Sequence, residues 1–477
     1  MKRFDFEVAI IGGGSAGFNA ARTTAGAGLK TVVIEGGEEV GGLCILRGCM
    51  PTKALLYAAE VMHLASHTRP WGIRTGDVSF DFAKVMARKN ALIKDFADFR
   101  VRQLTNKKFK FIRANARFLD AHTLELGRAD PALRDSDAQQ CVPTKLTAKN
   151  FIITTGSTVA SPPLPPLRET GFLTSDEALS LKKLPKSLIV LGGGAVACEF
   201  AQFFARFGVK VTLIQRSPHI LHDFDPEAAA VIENVFQREG IKLFIGTRLL
   251  DAKSKGRLKT VSFEHKGKTA AVSAEEILFA LGRIPNTASL DLENAGVKTE
   301  HGRILANHFM QSNAPHIYTA GDCTGPHEIV HVAVQQGEIA AHNIANPGKR
   351  RRMDYRLLIS IVFTEPQVAF VGLTEKNAKA HDIPFLAASY PFNDHGKSLI
   401  MEAKDGFVKL LADPKSGEIL GGECVGPVGG ELLHEIVAAM SKRMMVHELA
   451  AMPHYHPTLA EIWTYPAEEL AGKITVA

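Results

Sequence analysis

A chain of 477 residues is more than one hydrophobic core holds and is expected to divide into two to four domains. With 45% hydrophobic and 22% charged residues it has the composition of an ordinary globular protein, and no apolar run approaches the ~20 residues of a membrane span. The net charge of +6 includes one tight basic run, Lys349-Arg350-Arg351-Arg352, which reads as a solvated surface segment because a nucleic-acid face needs clustering over a larger area.

Met1-Lys2-Arg3 ahead of Val8-Ala9-Ile10-Ile11 has the outline of a signal peptide, but glycines and Ser15-Ala16-Gly17 interrupt the apolar stretch at once. The segment reads instead as a first buried strand, which points to a cytoplasmic protein. It runs into Gly12-Gly13-Gly14-Ser15-Ala16-Gly17, then a helix through Ala20, Ala21 and Ala25, then the strand Thr31-Val32-Val33-Ile34-Glu35. This is a βαβ unit with a glycine-rich first turn. Such glycines let the backbone approach a pyrophosphate, and the helix start offers unpaired N–H groups and a positive dipole end. Glu35, eighteen residues past Gly17 at a strand end, stands where a carboxylate accepts from ribose hydroxyls. One such fingerprint alone is a weak signal, since tight turns also need glycine.

Six cysteines in so long a chain are too few for a disulfide framework, and in a reducing compartment a close pair suggests redox chemistry or metal binding. The stretch Gly41-Gly42-Leu43-Cys44-Ile45-Leu46-Arg47-Gly48-Cys49-Met50-Pro51-Thr52-Lys53 places such a pair just after the first βαβ unit. Half a zinc site or two unrelated core cysteines also fit this spacing, but no second cysteine or histidine pair follows at ligand spacing, so no metal is expected. Further on, Gly127 to Lys145 is polar and reads as an extended surface loop or hairpin. Ser161-Pro162-Pro163-Leu164-Pro165-Pro166 and Leu184-Pro185-Lys186 look like connectors.

Leu188 to Ala197 then repeats the opening design: a strand, Gly192-Gly193-Gly194-Ala195-Val196-Ala197, a helix through Phe200 to Phe207, and the strand Lys210-Val211-Thr212-Leu213-Ile214. Two fingerprints, each with a strand before and a helix after, are a strong signal for two dinucleotide sites. Past Lys349, alternation in Ile359 to Val371 and in Phe407 to Leu411 suggests a third, antiparallel-sheet domain with helices such as Glu431 to Met440.

The Gly41–Lys53 segment resembles the active-site helix of the class I pyridine nucleotide-disulfide oxidoreductases, most of all their dihydrolipoamide dehydrogenase branch. The likeness covers nearly the whole chain in the same order. It includes Ile153-Thr154-Thr155-Gly156, Phe279-Ala280-Leu281-Gly282-Arg283-Ile284-Pro285-Asn286, Ala320-Gly321-Asp322, Phe363-Thr364-Glu365-Pro366, Val371-Gly372-Leu373-Thr374 and His454-Tyr455-His456-Pro457-Thr458-Leu459-Ala460-Glu461.

The resemblance implies an α/β fold with two Rossmann-like dinucleotide-binding domains and a C-terminal α+β dimerisation domain. The FAD-binding part would span 1–157 and 283–349, the NAD(P)-binding part 158–282 and the dimerisation domain 350–477. Cofactor contacts are implied at Gly12, Gly14, Gly17, Glu35, Lys53, Ala114, Thr155, Gly156, Arg283, Asp322, His331 and Ala333, with Glu35 on the adenosine ribose and Asp322 on the flavin ribityl chain. Gly192, Gly194, Ala197, Gln215, Arg216 and Gly282 complete the implied cofactor set. Cys44 would be the thiol that exchanges with substrate and Cys49 the thiol against the flavin, while Lys53 would pair with Glu199 beside flavin and nicotinamide. His456 and Glu461 match a His–Glu pair contributed by the other subunit of a homodimer. A histidine oriented by a carboxylate suits the task of making a thiolate near neutral pH. A lipoyl group on a carrier protein is the implied substrate.

Some positions depart from the family pattern. Ala197 replaces the third glycine of the second fingerprint, which that motif permits. Gln215 stands where an NAD enzyme offers a carboxylate to the ribose 2′-hydroxyl, and Arg216-Ser217 follow, so NADP is as plausible as the family's usual NAD. Leu43 replaces a threonine, Ala114 a glycine, and Gln335 and Gln336 replace acids near the flavin. Alternative readings are an NADPH-dependent disulfide or mercuric reductase, and a flavoprotein that keeps the fold only for binding. A mercuric reductase usually carries a C-terminal cysteine pair, and no cysteine follows Cys424.

Overall fold

The computed structural model describes residues 3–128 and 144–474, so most of the Gly127–Lys145 stretch lies outside the described residues. These form two compact units: one holds the residues through Thr52, Ala87–Ala160 and Gly282–Asp354, the other Lys53–Met86, Ser161–Leu281 and the residues from Tyr355 on.

The first unit is built on a parallel sheet. Its strands run in the order Lys110–Asp120, Thr31–Glu35, Phe6–Ile11, Lys145–Ile153 and Ile317–Thr319. Val8 to Ile11 and Val32 to Ile34 are buried almost completely, the pattern of central strands covered on both faces. Lys110–Asp120 and Lys145–Ile153 continue as an antiparallel ribbon closed by Thr123–Arg128. Helices Ser15–Gly26 and Val330–Ala345 pack on each other. The signal-peptide outline at the start is therefore a buried central strand.

Within the second unit, a parallel sheet repeats this plan in the order Glu276–Phe279, Ser187–Leu191, Lys210–Ile214 and Lys242–Phe244. A three-stranded antiparallel sheet, Thr247–Lys255, Leu258–His265 and Lys268–Ala274, accompanies it. The proline run before it is only partly a connector, because Pro165 and Pro166 open the short helix Pro165–Thr170. Proline is tolerated there because the first turn of a helix has no partner for those N–H groups.

The remainder of this unit is a five-stranded antiparallel sheet in the order Ile359–Val362, Gln367–Gly372, Ile419–Gly426, Phe407–Ala412 and Leu386–Pro391. Helices Gly429–Ser441 and Thr464–Lys473 accompany it. Ile359 to Val371 is thus two strands of one hairpin. Met440 lies in the core of this module, and Val437 and Met444 pack against that core.

One buried acid here carries a pH signature. Lys409 and Glu423 face each other across adjacent strands. Yet the Lys409 ammonium is taken by Glu227 at 2.7 Å and Glu375 at 3.0 Å, with Asp225 at 3.8 Å, and both Glu423 oxygens lack a hydrogen-bond partner among the described residues. Burial therefore pushes the Glu423 carboxyl from its usual 4.5 up to about 8. Between those values the folded chain keeps a proton that the unfolded chain has released, so this group's contribution to stability is lost as pH rises toward 8. Glu423→Gln, neutral throughout, should raise the Tm more at pH 9 than at pH 5. Parallel melting curves at the two pH values would refute a protonated Glu423.

Candidate active site

Of the flavin-side residues implied by the sequence, all but Lys53 belong to the first unit, and several stand at the carboxyl ends of its parallel strands, where open α/β sheets take ligands. Gly12 follows Phe6–Ile11, Glu35 ends Thr31–Glu35, Thr155 and Gly156 follow Lys145–Ile153, and Asp322 follows Ile317–Thr319. A side chain on Gly17 would meet the Gly12 carbonyl oxygen at 1.9 Å, so the turn closes only around glycine. Helix Ser15–Gly26 begins without a side-chain cap, which leaves its first N–H groups for an anionic ligand. Glu35 is anchored at the rim, accepting from Gly13 N at 2.7 Å and Gly37 N at 2.8 Å.

On the other side of this cradle, Arg283 donates from Nε to Ser157 Oγ at 2.8 Å, and that hydroxyl donates to Asp322 Oδ2 at 2.7 Å. Gln336 is almost wholly buried and accepts from Gly321 N at 2.8 Å. An amide there holds the residue before Asp322 in place without adding a second negative charge. Gln335 is exposed. His331 lies in the first turn of Val330–Ala345, Ala333 clusters with Ala16 and Ala320, and Ala114 is buried on Lys110–Asp120. The Thr155 hydroxyl is buried without a partner among the described residues. An uncapped helix start, a rim carboxylate and an orphaned hydroxyl form the donor and acceptor set that a dinucleotide satisfies, so the residues fit FAD.

Cys44 sits in the one-turn helix Leu43–Leu46, and Cys49 opens the helix Cys49–Ser66, whose positive end favours negative charge. A Cβ on Gly42, whose φ is +77°, would meet Gly14 Cα at 2.6 Å. The cysteine loop is therefore pressed onto the first glycine turn. Arg100, which sequence reasoning did not single out, stacks its guanidinium 4.3 Å from the Phe18 ring centre, with Nε and Nη1 buried and unpaired among the described residues. Burial lowers its pKa while the nearby Cys44 raises it. No periodicity or motif marks it.

In the second unit, Gly192 follows Ser187–Leu191, and helix Ala195–Arg206 carries the buried Ala197 and again starts uncapped after Gly194. Gln215 directly follows the next strand, Lys210–Ile214, and is buried, its side chain 3.0 Å from where a Cβ on Gly193 would stand, and its Oε1 accepts from Arg216 N at 2.9 Å. The Arg216 side chain is exposed. The first turn has a carboxylate in this place, and the second has an amide followed by a cation. Both initial turns thus fit dinucleotides, with different rims.

Lys53, four residues past Cys49 on the same helix, meets both oxygens of buried Glu199 at 2.8 and 2.9 Å. Glu199 also accepts from Phe363 N at 3.0 Å, and the Lys53 ammonium lies 4.5 Å from the Phe363 ring centre. Breaking such a pair leaves a buried carboxylate unmatched, at a cost of about 3–5 kcal/mol. A cavity of about 180 Å³ beside it is lined by Leu56, Tyr57, Phe363 and Glu365 among others, and burial pushes the Glu365 carboxyl up to about 7.

His456 and Glu461 lie together in the five-stranded module, with His456 Nδ1 3.0 Å from Glu461 Oε2. A carboxylate there selects the Nδ1–H tautomer and leaves Nε2 as a lone pair. The His456 side chain is 80% exposed and that of Glu461 only 11%, an open imidazole braced from behind. This pair belongs to the second unit, and Cys44 to the first.

Residues 6–337 match the family described as pyridine nucleotide-disulphide oxidoreductase, and residues 358–467 match the dimerisation domain of that family, which supports a homodimer. The chain is 33% identical to a dihydrolipoyl dehydrogenase of Geobacillus stearothermophilus, covering 98% of this chain and 96% of that protein. It is 31% identical to a mercuric reductase of Staphylococcus aureus over 96% of this chain and 81% of that one. Its fold superposes on the HOCl-induced flavoprotein disulfide reductase RclA from Escherichia coli, solved as a Cu(II) complex, with a TM-score of 0.84 at 26% identity, covering 98% of this chain and 100% of that one. No helix among the described residues is long and apolar enough to cross a membrane. The chain belongs to the pyridine nucleotide-disulphide oxidoreductases, FAD-dependent enzymes that act on disulfides with NAD(P) as the electron partner.

Proposed function

We propose that this enzyme oxidises a dihydrolipoyl group, held on a carrier protein in the cytoplasm, and reduces NAD(P)+. The observation that carries the reading is the Cys44–Cys49 loop pressed by Gly42 onto the glycine turn that fits FAD. Residues 1–157 and 283–349 bind FAD in this reading, 158–282 bind NAD(P) and 350–477 form the dimer interface. His456 Nε2 takes a proton from one substrate thiol, and the thiolate attacks Cys44 Sγ. In the oxidised enzyme of this reading Cys44 and Cys49 are joined as a disulfide; the attack breaks that bond, and Cys49 leaves as a thiolate favoured by its helix start. The second substrate thiol then displaces Cys44, so the substrate leaves as a disulfide and the enzyme holds two thiols. FAD, when bound, supplies the two-electron acceptor for that dithiol and the hydride donor for the nicotinamide. Lys53, fixed by Glu199, keeps a cation beside that chemistry.

A lipoyl dithiol is favoured over mercuric ion because, among the described residues, the cysteines beyond this loop do not offer a second reactive pair. Cys198, Cys323 and Cys424 are wholly buried, and burial pushes each thiol up, away from the reactive thiolate. Anaerobic titration of the purified protein with dihydrolipoamide, glutathione and NAD(P)H, followed by long-wavelength absorbance, tests the choice. Dihydrolipoamide should reduce it and glutathione should not. Reduction by glutathione alone, or NADPH oxidation that depends on Hg(II), would replace this reading with one of its alternatives.

The nicotinamide rim favours NADP-compatible recognition. Gln215 brings no charge to repel a 2′-phosphate, and the exposed Arg216 can meet one. Arg216→Ala should lose about 1.5–3 kcal/mol of charged hydrogen bonding, roughly a 10- to 150-fold rise in KM for NADP(H), with little change for NAD(H). An unaltered ratio of the two constants would remove Arg216 from the site.

A further inference from the structure

We infer that His395 is a positioning residue for the His456–Glu461 pair, a role that rests on the reading of His456 as the base. His395 is wholly buried. Its Nδ1 lies 2.7 Å from Ser398 Oγ and its Nε2 3.3 Å from Glu461 Oε1, while the other carboxylate oxygen faces His456. One carboxylate is thus gripped between two imidazoles, with a serine behind the second.

The protonation pattern follows from those distances. A carboxylate against Nε2 requires the proton on Nε2, which leaves Nδ1 to accept from the Ser398 hydroxyl. Burial pushes the His395 pKa down, and the Glu461 charge offsets this only in part, so the ring faces Glu461 as a neutral donor. The N–H is not yet aligned on Oε1, since Nε2 makes no bond of full hydrogen-bond geometry among the described residues. The titratable groups facing His395 are Glu461 and His456, with the Tyr465 ring set edge-on 6.4 Å away. Tyr465 is itself stacked on Tyr390, whose hydroxyl donates to Asp394 Oδ2 at 3.0 Å.

A carboxylate held on one side only is free to rotate, and with it goes the aim of the His456 lone pair. A second donor on Oε1 fixes the carboxylate plane, as outer partners of ligating and catalytic histidines do. His395 touches no reacting atom, so its effect reaches the reaction only through Glu461 and His456.

His395→Leu removes the donor while keeping the bulk, and His395→Gln returns an N–H near the Nε2 position. Three measurements on the FAD-loaded full-length protein separate the outcomes. NAD(P)H-to-ferricyanide turnover bypasses His456 and reports folding and loading. The rate of diethyl pyrocarbonate modification of His456 at one fixed pH, followed by peptide mass spectrometry, reports the nucleophilicity of that imidazole without any substrate. Dihydrolipoamide oxidation reports the reaction.

The leucine variant should keep the ferricyanide rate, slow His456 modification several-fold, because a mis-aimed carboxylate no longer braces Nδ1–H, and lose dithiol oxidation roughly tenfold. Glutamine should restore both. Equal His456 modification rates in wild type and leucine variant would overturn the role. Slowed modification in an enzyme that oxidises no dihydrolipoamide would uphold it and sink the substrate reading instead. Should leucine abolish the ferricyanide rate, His395→Asn, polar but too short to reach Glu461, takes the same modification test: a slower rate upholds the role, and an unchanged rate overturns it.

Discussion

In a Cys49→Ser variant, dihydrolipoamide oxidation is expected to fall at least about a thousandfold, because the two cysteines act as a unit and half of a relay does not relay. The long-wavelength absorbance on reduction should vanish with it. Cys49 opens an 18-residue helix, the best-placed position in the loop to carry a thiolate. Serine offers neither a disulfide partner nor a stable anion at neutral pH. The same variant should still bind FAD, because the cradle of Gly12, Gly17, Glu35 and Asp322 does not depend on the Cys49 side chain, and should still pass electrons from NAD(P)H to ferricyanide. Cys44→Ser should lose dithiol oxidation as completely, but keep a Cys49 thiolate after reduction. Wild-type dihydrolipoamide rates in the Cys49 variant would discard the redox assignment, and loss of flavin would mean that Cys49 is structural.

How much of the fold and site is legible in the sequence follows from what sequence patterns encode. The two βαβ units are readable because a β-branched run, a glycine turn and an apolar helix are all local, and each recurs at the same spacing. The antiparallel module is readable from alternation, although Ile359 to Val371 looks like one stretch because the Phe363–Pro366 turn carries its own apolar residue. Lys53 and Glu199, 146 residues apart, are a pair only through the resemblance; no local rule joins them.

What the sequence does not disclose is held by single long-range contacts. Gln336 looks like the loss of an acid, and only the fold reveals its amide accepting from Gly321 N. Arg100 is one of several basic residues along Phe82–Leu104, and its burial against Phe18 depends on how that helix packs. His395 lies in Asn393-Asp394-His395-Gly396, a segment that reads as an ordinary turn. It meets Glu461 because the elements that carry them pack around one core. A lone histidine in a turn has no sequence signature of a positioning role.

Coexpression of Cys44→Ser chains with His456→Ala chains, each inactive alone, is expected to restore dithiol oxidation to about a quarter of wild type, because random pairing puts half the chains in heterodimers and each heterodimer holds one intact site of two. The expectation rests on where the pair sits. His456 and Glu461 belong to the second compact unit, in the module that matches the family's dimerisation domain, and Cys44 belongs to the first. Glu461 is braced inside that module while His456 extends from it, 80% exposed with its Nε2 lone pair turned away from its own carboxylate. In the proposed reading this imidazole is the base, and one presented outward from a dimerisation domain can serve a neighbouring chain. In the mixed dimer, one site would combine the Cys44 of the histidine variant with the His456 of the cysteine variant, and the other would lack both. Tagged chains purified as heterodimers make the measurement quantitative. Heterodimers that form and load FAD yet oxidise no dihydrolipoamide would mean that His456 serves its own chain or is not the base.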